Sequence, residues 1–241
     1  MKNQISYWQA TKSPFYSFVF TLPLFGIYEV LTLFLSRSQF MEIRNGADVL
    51  IRQFIAMFDI WGMYALSIAF IIGFIGAFLW QKSQLKQTSV KSNYLLWMLM
   101  EGTLWGFLLY VVLIVFPIPL MLPTGKQIIQ QIVLSIGAGL YEEFLFRVVL
   151  INLMSLLLKI IFQWKKSWCL VISVIISAFL FSGFHFYSTF GEAFDMGKFL
   201  YRAIAGVMLG TLYVIRGFGI TAYSHMVYDF LVVFQFTVNN V

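Results

Sequence analysis

The side chains that could do chemistry are few, and most of them fall into three short patterns in the second half of the chain. Two glutamates and an arginine come first, then a histidine, then a histidine and an aspartate: Glu142, Glu143, Arg147, His185, His225 and Asp229. Carboxylates and imidazoles act as general acids and bases, or they hold a zinc ion that activates water. The patterns therefore favour activation of a water molecule.

The spacing of the first pattern separates its two glutamates. Glu143 and Arg147 are four residues apart, so they share a helix face and can form an ion pair. Glu142 points about 100° away around the helix and lacks that partner, which leaves its carboxylate free to act as a general base. A Glu–Arg clamp that only fixes helix packing is the alternative, but it does not explain the second glutamate.

Both histidines of the chain lie in apolar segments. His185 follows Phe181 by four residues and His225 precedes Asp229 by four, so each pair can share a helix face. A histidine on an apolar helix often serves packing alone. Placing a charge at the bilayer centre costs about 2.5–3.5 kcal/mol on insertion scales, so ionisable groups that recur there favour a functional site.

The composition places these patterns in a membrane. Of the 241 residues, 61% are apolar and 11% are charged, whereas soluble domains average about 45–50% and about 25%. An ordinary soluble enzyme, a disordered protein and a nucleic-acid binder are excluded, and membrane lipid is the expected partner. The net charge of +6 is typical of basic cytoplasmic loops. The single cysteine, Cys169, excludes an intrachain disulfide and a cysteine-rich metal site.

Long apolar runs must position these side chains, since about 20 helical residues span a bilayer core. The runs lie at 14–36, 61–80, 93–116, 127–162, 168–187, 197–215 and 218–238. They predict an all-α, polytopic transmembrane helical bundle, a single membrane domain over 1–241 with about seven spans, or eight with a further re-entrant segment. The fourth run is too long for one straight span, and we expect it to break or bend near Gly137 and Gly139, or to extend beyond the membrane.

Other features of the runs predict packing and surface contacts. Residues 46–58 predict an interfacial helix, because Leu50, Phe54 and Met57 share one face. Two small-residue spacings predict close helix contacts: Gly102 with Gly106, and Gly206 with Gly210. Glu29, Glu101 and Arg202 also lie in apolar runs, Glu29 without an evident local partner, and we assign them no catalytic role.

Loop charges predict the orientation of the chain. Nine basic residues fall on the side of the N-terminus, Lys2, Lys12, Lys82, Lys86, Lys91, Lys159, Lys165, Lys166 and Arg216, against five on the other side, Arg37, Arg44, Arg52, Lys126 and Lys198. We therefore expect a multi-pass protein of the cell membrane with a cytoplasmic N-terminus. On this topology His185 and His225 differ in nominal depth by about 15 Å.

Three familiar kinds of intramembrane protease site do not fit the sequence. The zinc site needs His-Glu-x-x-His on a helix, and the sequence has no such run. The paired-aspartate site has Tyr-Asp, present at Tyr228 and Asp229, and Gly-x-Gly-Asp, but Gly219 is followed by Ile220. No serine motif suited to a nucleophile is found.

The patterns Glu-Glu-x-x-x-Arg, Phe-x-x-x-His and His-x-x-x-Asp, in this order, resemble those of the CPBP family, also called the Abi or type II CAAX prenyl-protease family. The resemblance covers about residues 125–240 as a catalytic core and leaves 1–120 as N-terminal helices of unassigned role. It implies a bacterial intramembrane endopeptidase that cleaves a small peptide or a lipid-anchored protein. Bacterial members are linked to processing of bacteriocins and peptide signals, or to self-immunity.

The resemblance also implies a role for each motif. Glu142 with His185 would activate water, supported by the Glu–Arg pair of the first motif. His225 and Asp229 would stabilise the oxyanion of the tetrahedral intermediate. The third motif often ends in Asn in this family, so Asp229 would either be protonated or orient His225 instead.

Cofactor and function each keep alternatives at this point. The family has been interpreted both as metal-free glutamate proteases and as metalloproteases, and Glu142, His185 and His225 are the candidate ligands for a single divalent metal such as Zn²⁺.

The alternative functions are a non-proteolytic membrane scaffold or regulator, a bacteriocin self-immunity protein, and a transporter, because buried carboxylates also line ion paths. The two matching halves typical of transporters are not seen.

Overall fold

The computed structural model describes residues 6–35, 44–57, 72–73, 76, 79, 90–114, 127–187 and 193–238. All regular elements in these ranges are helices, which confirms the all-α class. The helices are α1 (Tyr7–Thr11), α2 (Pro14–Leu35), α3 (Gly46–Ala56), α4 (Ser92–Leu113), α5 (Gln127–Gly137), α6 (Asn152–Phe162), α7 (Lys166–Tyr187), α8 (Met196–Arg216) and α9 (Phe218–Val238). Two π-helical segments, Ala138–Glu142 and Phe144–Ile151, join α5 to α6.

Five helices within the described ranges are long and apolar enough to cross a membrane: α2, α4, the continuous helix Ile129–Phe162, α7 and α8. Helix α9 is as long as α8, but it carries His225, Asp229 and several hydroxyl side chains and is not among the five. The predicted run 61–80 lies almost entirely outside the described residues. The helices are those of a multi-pass membrane protein, while the total of seven or eight spans and the cytoplasmic N-terminus stay predictions.

The fourth apolar run does not break at its glycines. It forms a continuous helix of 34 residues from Ile129 to Phe162, in which the winding changes from α to π at Ala138. π-helical turns shift the direction of the side chains that follow and are frequent at functional sites. The whole first motif, Glu142 to Arg147, lies in this altered segment.

Helix α9 is the central element and contacts α2, α4, α5 and α8. It approaches α4 so closely that a Cβ atom added to Gly106 would lie 2.7 Å from a backbone oxygen of α9. A Cβ atom on Gly139 of the long helix would lie 2.5 Å from another. Gly206 and Gly210 bring α8 against α7 in the same way, with the added Cβ atoms 3.0 Å from their nearest neighbours. The two predicted small-residue spacings are therefore at helix contacts.

Substituting Gly139 by alanine is expected to lower the free energy of unfolding by about 1–3 kcal/mol, the usual cost of overpacking, because the blocking atom belongs to the backbone. Gly26→Ala is the matched control, since an added Cβ there meets nothing within 4 Å and alanine favours the helix by up to about 1 kcal/mol. Thermal unfolding in detergent micelles measures both. Equal melting temperatures for the two variants would show that the contact at Gly139 is not tight.

Helix α3 has its apolar face exposed and its polar face buried against the protein. Leu50, Phe54 and Met57 are 40%, 59% and 80% exposed, whereas Asp48 is fully buried. The helix begins at Asn45, whose Oδ1 accepts a hydrogen bond of 2.9 Å from the Ala47 N–H, as N-cap residues do. The helix predicted at 46–58 is confirmed over Gly46–Ala56, and its outward apolar face suits lipid contact.

A buried cluster fastens the N-terminus to the bundle. Arg216, at the end of α8, is fully buried and ion-paired with Glu101 of α4, and it also donates to the Thr11 hydroxyl at 3.0 Å. Tyr7 donates to Glu101 at 2.7 Å, and the Arg216 guanidinium lies 3.8 Å from the centre of the Trp8 ring. Burial, together with the neighbouring Glu101 carboxylate, raises the pKa of Tyr7 above its ordinary value. Arg216 is therefore a structural charge and not a free loop charge.

Candidate active site

The structure brings the six predicted site residues into one cluster, in which three of them lie beside a single phenyl ring. The long helix contributes Glu142, Glu143 and Arg147, α7 contributes His185 two residues before its end, and α9 contributes His225 and Asp229. Phe181 of α7 is the shared neighbour: its ring centre lies 5.0 Å from that of His185 and 6.1 Å from that of His225. The Arg147 guanidinium lies 4.8 Å from the same ring centre.

This arrangement removes the nominal difference in depth between the two histidines. His185 and His225 flank a single ring, although each lies at a different position along its own helix. The helix boundaries agree closely with those predicted, at Lys166–Tyr187 and Phe218–Val238. The two imidazoles therefore belong to one cluster, and the difference in depth expected from the sequence is not found.

Glu143 joins the first motif to the third. One of its carboxylate oxygens lies 3.0 Å from Arg147 Nε, as the four-residue spacing predicts, although the atoms do not have hydrogen-bond geometry. The other carboxylate oxygen lies 2.9 Å from His225 Nδ1. Both Glu143 and Arg147 are fully buried. The pair therefore does more than fix one helix, because it also anchors the His225 imidazole.

The hydrogen bonds define which nitrogen of each imidazole carries a proton. His185 Nδ1 lies 2.9 Å from the Phe181 carbonyl oxygen, which can only accept, so Nδ1 is the donor and Nε2 is left for the site. His225 Nδ1 faces the ion-paired Glu143 carboxylate and is likewise a donor. Its Nε2 lies 3.8 Å from Asp229 Oδ1. Asp229 therefore lies beside His225 at a separation longer than a hydrogen bond.

Glu142 has a partner that the sequence did not indicate. Its Oε1 accepts a hydrogen bond of 2.8 Å from the side-chain amide of Asn45, the residue that caps α3. The Glu142 carboxylate also interacts electrostatically with both His185 and His225. As expected, Glu142 is not the ion-pair partner of Arg147. Its second carboxylate oxygen has no hydrogen bond to the described residues and is available to a water molecule.

A charged network holds Asn45 in place. The Asn45 N–H donates to the Tyr28 hydroxyl at 3.1 Å, and this hydroxyl donates to Asp48 at 2.9 Å. Arg44 and Arg52 both bind Asp48, at 2.8 Å and 2.6 Å. Although burial opposes its charge, the hydrogen bond to Asp48 and the nearby acidic groups raise the pKa of Arg44 above its ordinary value.

Glu29 is the second acid of this network. It has no partner close to it in sequence, as expected, but it has partners farther along the chain. Arg52 binds it at 2.7 Å and Arg44 at 3.4 Å, from 23 and 15 residues away. The Tyr141 hydroxyl donates to Glu29 at 3.0 Å, which ties the residue before Glu142 to the same network. Arg44 and Arg52 are therefore not free loop charges. If these two and Arg216 are left out of the count of loop charges, the side predicted to hold the N-terminus still has more basic residues than the other side.

The site is closed on one side and open on the other. Glu142 and His225 are 6% and 5% exposed, and Glu143 and Arg147 are 0% exposed. His185 is partly exposed, and the Asp229 side chain is 26% exposed. His185 and Asp229 are therefore the most accessible members of the cluster, whereas the Glu143–Arg147 pair is fully enclosed.

The donor geometry of the site does not suit a metal ion. Within the ranges that the structure describes, no three His, Cys, Asp or Glu side chains are placed to hold one. The candidate ligands Glu142, His185 and His225 lie near each other, but they do not form such a group. Three donors converging on one point are the minimum for a catalytic zinc site. The chemistry below is therefore derived from the side chains alone.

Comparison with known proteins agrees with the motifs. Residues 124–231 match the family model described as type II CAAX prenyl endopeptidase Rce1-like. The matched segment contains all six predicted site residues, and it confirms the resemblance to the CPBP family. The family that this model describes is one of endopeptidases, and the matched segment is similar to it. Comparisons with curated proteins and with solved structures give no match.

Asn45 and its network lie outside the matched segment, and sequence reasoning missed their link to the site. The available signal was local: an asparagine directly before a predicted helix is a good N-cap. That signal predicts the bond to Ala47, but not the second bond to Glu142, which is 97 residues away. The N-terminal helices, which had no assigned role, therefore contribute to the site.

Proposed function

We propose that the protein is an intramembrane endopeptidase that hydrolyses a peptide bond of a small peptide or a lipid-anchored protein by using water activated by Glu142. The observation that supports this most is the Glu142 carboxylate, which accepts a hydrogen bond from Asn45 and is near enough to both histidines to interact with them electrostatically. Membrane lipid surrounds the protein, and the substrate is a peptide.

The reaction follows from the hydrogen-bond roles of the side chains. A water molecule donates to Glu142 and to the free Nε2 of His185, and Glu142 removes its proton as the water oxygen attacks the carbonyl carbon. His225, doubly protonated between two carboxylates, donates from Nε2 to the oxyanion. The protonated Glu142 then gives its proton to the leaving amine nitrogen. The C–N bond breaks, and a carboxylic acid and an amine are released; the acid then loses its proton to the solvent.

Asp229 acts on His225 in this scheme and not on the substrate oxygen. Its carboxylate faces Nε2 at 3.8 Å, close enough to orient the imidazole and to stabilise its positive charge. An ionised carboxylate only accepts hydrogen bonds, so direct donation to an oxyanion is assigned to His225. An Asn at this position, frequent in the family's third motif, would instead be able to donate.

The substrate is expected to appear in a comparison of secreted and membrane peptides from cells that carry the wild-type protein, Glu142→Ala or His185→Ala. We expect cleaved peptides in the wild type, and uncleaved precursors in both variants at similar levels of inserted protein. Mass spectrometry of the peptide pool makes the comparison. Identical peptide pools in all three strains would contradict the proposed activity and favour a scaffold.

A further inference from the structure

We infer that Asn45 is a positioning residue for the catalytic base, and that α2 and α3 form a rigid platform that holds it against Glu142. The inference rests on the proposed function and extends it to residues outside the three motifs. It is carried by one buried contact, the 2.8 Å hydrogen bond from the Asn45 amide to Glu142 Oε1, since both residues are 6% exposed.

The Asn45 side chain uses both ends of its amide. Oδ1 accepts from the Ala47 N–H and caps α3, so the amide can be oriented in one way only, with Nδ2 pointing at Glu142. A carboxylate that receives one hydrogen bond on Oε1 is prevented from rotating. Its other oxygen then stays directed at the position of the attacking water, which is the orientation that general-base catalysis needs.

The platform is fixed by charges that do not touch the site. Asp48 receives hydrogen bonds from Arg44, Arg52 and Tyr28, and Tyr28 in turn receives the Asn45 N–H. Removal of any one partner would leave another charge buried and incompletely paired, which is costly. The network therefore fixes the position of the α3 N-terminus relative to α2. Its residues all lie before residue 124, where the match to the family model begins.

Gly137 gives Asn45 its access to the long helix. A Cβ atom there would lie 2.7 Å from the Tyr28 ring and 2.8 Å from the Asn45 Cβ. Both distances are shorter than real Cβ atoms tolerate. The glycine that the sequence suggested as a bend is thus the point where α2 and α3 approach the helix that carries Glu142, five residues before it.

The test is a steady-state comparison of Asn45→Ser with the wild type in liposomes, using an internally quenched peptide with a prenylated cysteine as the probe. Serine keeps the helix cap but cannot reach Glu142. We expect kcat per folded enzyme to fall about 10- to 100-fold with KM within about twofold, the loss expected for a hydrogen bond to a charged group. Gly137→Ala approaches the same contact from the other side and is expected to lower kcat similarly.

Asp195→Ser is the matched control, because Asp195 caps α8 through its side chain as Asn45 caps α3. It is expected to leave kcat unchanged. If Asn45→Ser keeps wild-type kcat per folded enzyme, or loses only the yield of folded protein, the positioning role is wrong. Glu142→Gln, assayed in parallel, separates the two claims: if it cleaves the probe as fast as the wild type, the proposed function fails and not merely the role of Asn45.

Discussion

Glu142→Gln is expected to lower the rate of peptide cleavage by about 10²- to 10⁴-fold, the contribution typical of a general base. Glutamine has the size of glutamate, and its carbonyl oxygen can still accept the hydrogen bond from Asn45, which is 2.8 Å long in the wild type. It cannot, however, remove a proton from water. The substitution therefore removes the chemistry while it preserves the packing of the site.

The measurement is the single-turnover rate of purified enzyme on the quenched peptide, with Asp195→Asn as an acid-to-amide control outside the site. Asp195 binds the Lys198 N–H at the start of α8 and is expected to be replaceable without loss of rate. A scaffold with the same fold would retain its cellular function in the Glu142→Gln variant. Undiminished cleavage by that variant would mean that another group activates the water.

Arg147→Met is expected to lower the free energy of unfolding by about 3–5 kcal/mol, the cost of leaving one member of a buried ion pair without its partner. Glu143 and Arg147 are 0% exposed, so water cannot replace the lost guanidinium. Methionine has a similar length and keeps the contact with the Phe181 ring. The destabilisation therefore reports the loss of the Arg147 charge beside Glu143, which keeps only His225 as a partner.

The double variant Glu143→Gln, Arg147→Met separates stability from catalysis. It removes both charges, so most of the lost stability is expected to return, because apolar or neutral replacements of a whole buried pair are often tolerated. Cleavage is expected to stay impaired, since an amide holds a positively charged His225 more weakly than a carboxylate does. Thermal unfolding in micelles measures the stability of the double variant, and the cleavage rate measures its catalysis. A double variant no more stable than Arg147→Met alone would contradict the ion-pair explanation.

The part of the site that the sequence predicted is the part set by helix periodicity. Glu143 with Arg147 and His225 with Asp229 are each four residues apart, and both pairs are in contact. The membrane setting also followed from the sequence, because 61% of the residues are apolar and only 11% are charged. Since charged residues are so rare, the few within apolar runs could be recognised as candidate site residues. The helix boundaries agree with the apolar runs in the described ranges, since lipid requires long apolar helices.

The contacts that complete the site join residues far apart in sequence, and periodicity carries no information about them. Glu143 meets His225 from 82 residues away, and Asn45 meets Glu142 from 97. Such pairs depend on how helices tilt and where glycines allow them to approach, as at Gly137. The helix does not break at Gly137: its winding changes to π at the next residue, Ala138, and the glycine serves a contact between helices.

The network around Asp48 also bears on how the chain could be divided. A fragment limited to residues 124–231 would keep all six motif residues, yet it would lack Tyr28, Asn45 and Asp48. It would also separate Arg216 from Glu101, and a fully buried arginine would lose its counter-charge. The structural unit that holds the six motif residues in place therefore includes the N-terminal helices and extends beyond the segment that matches the family model.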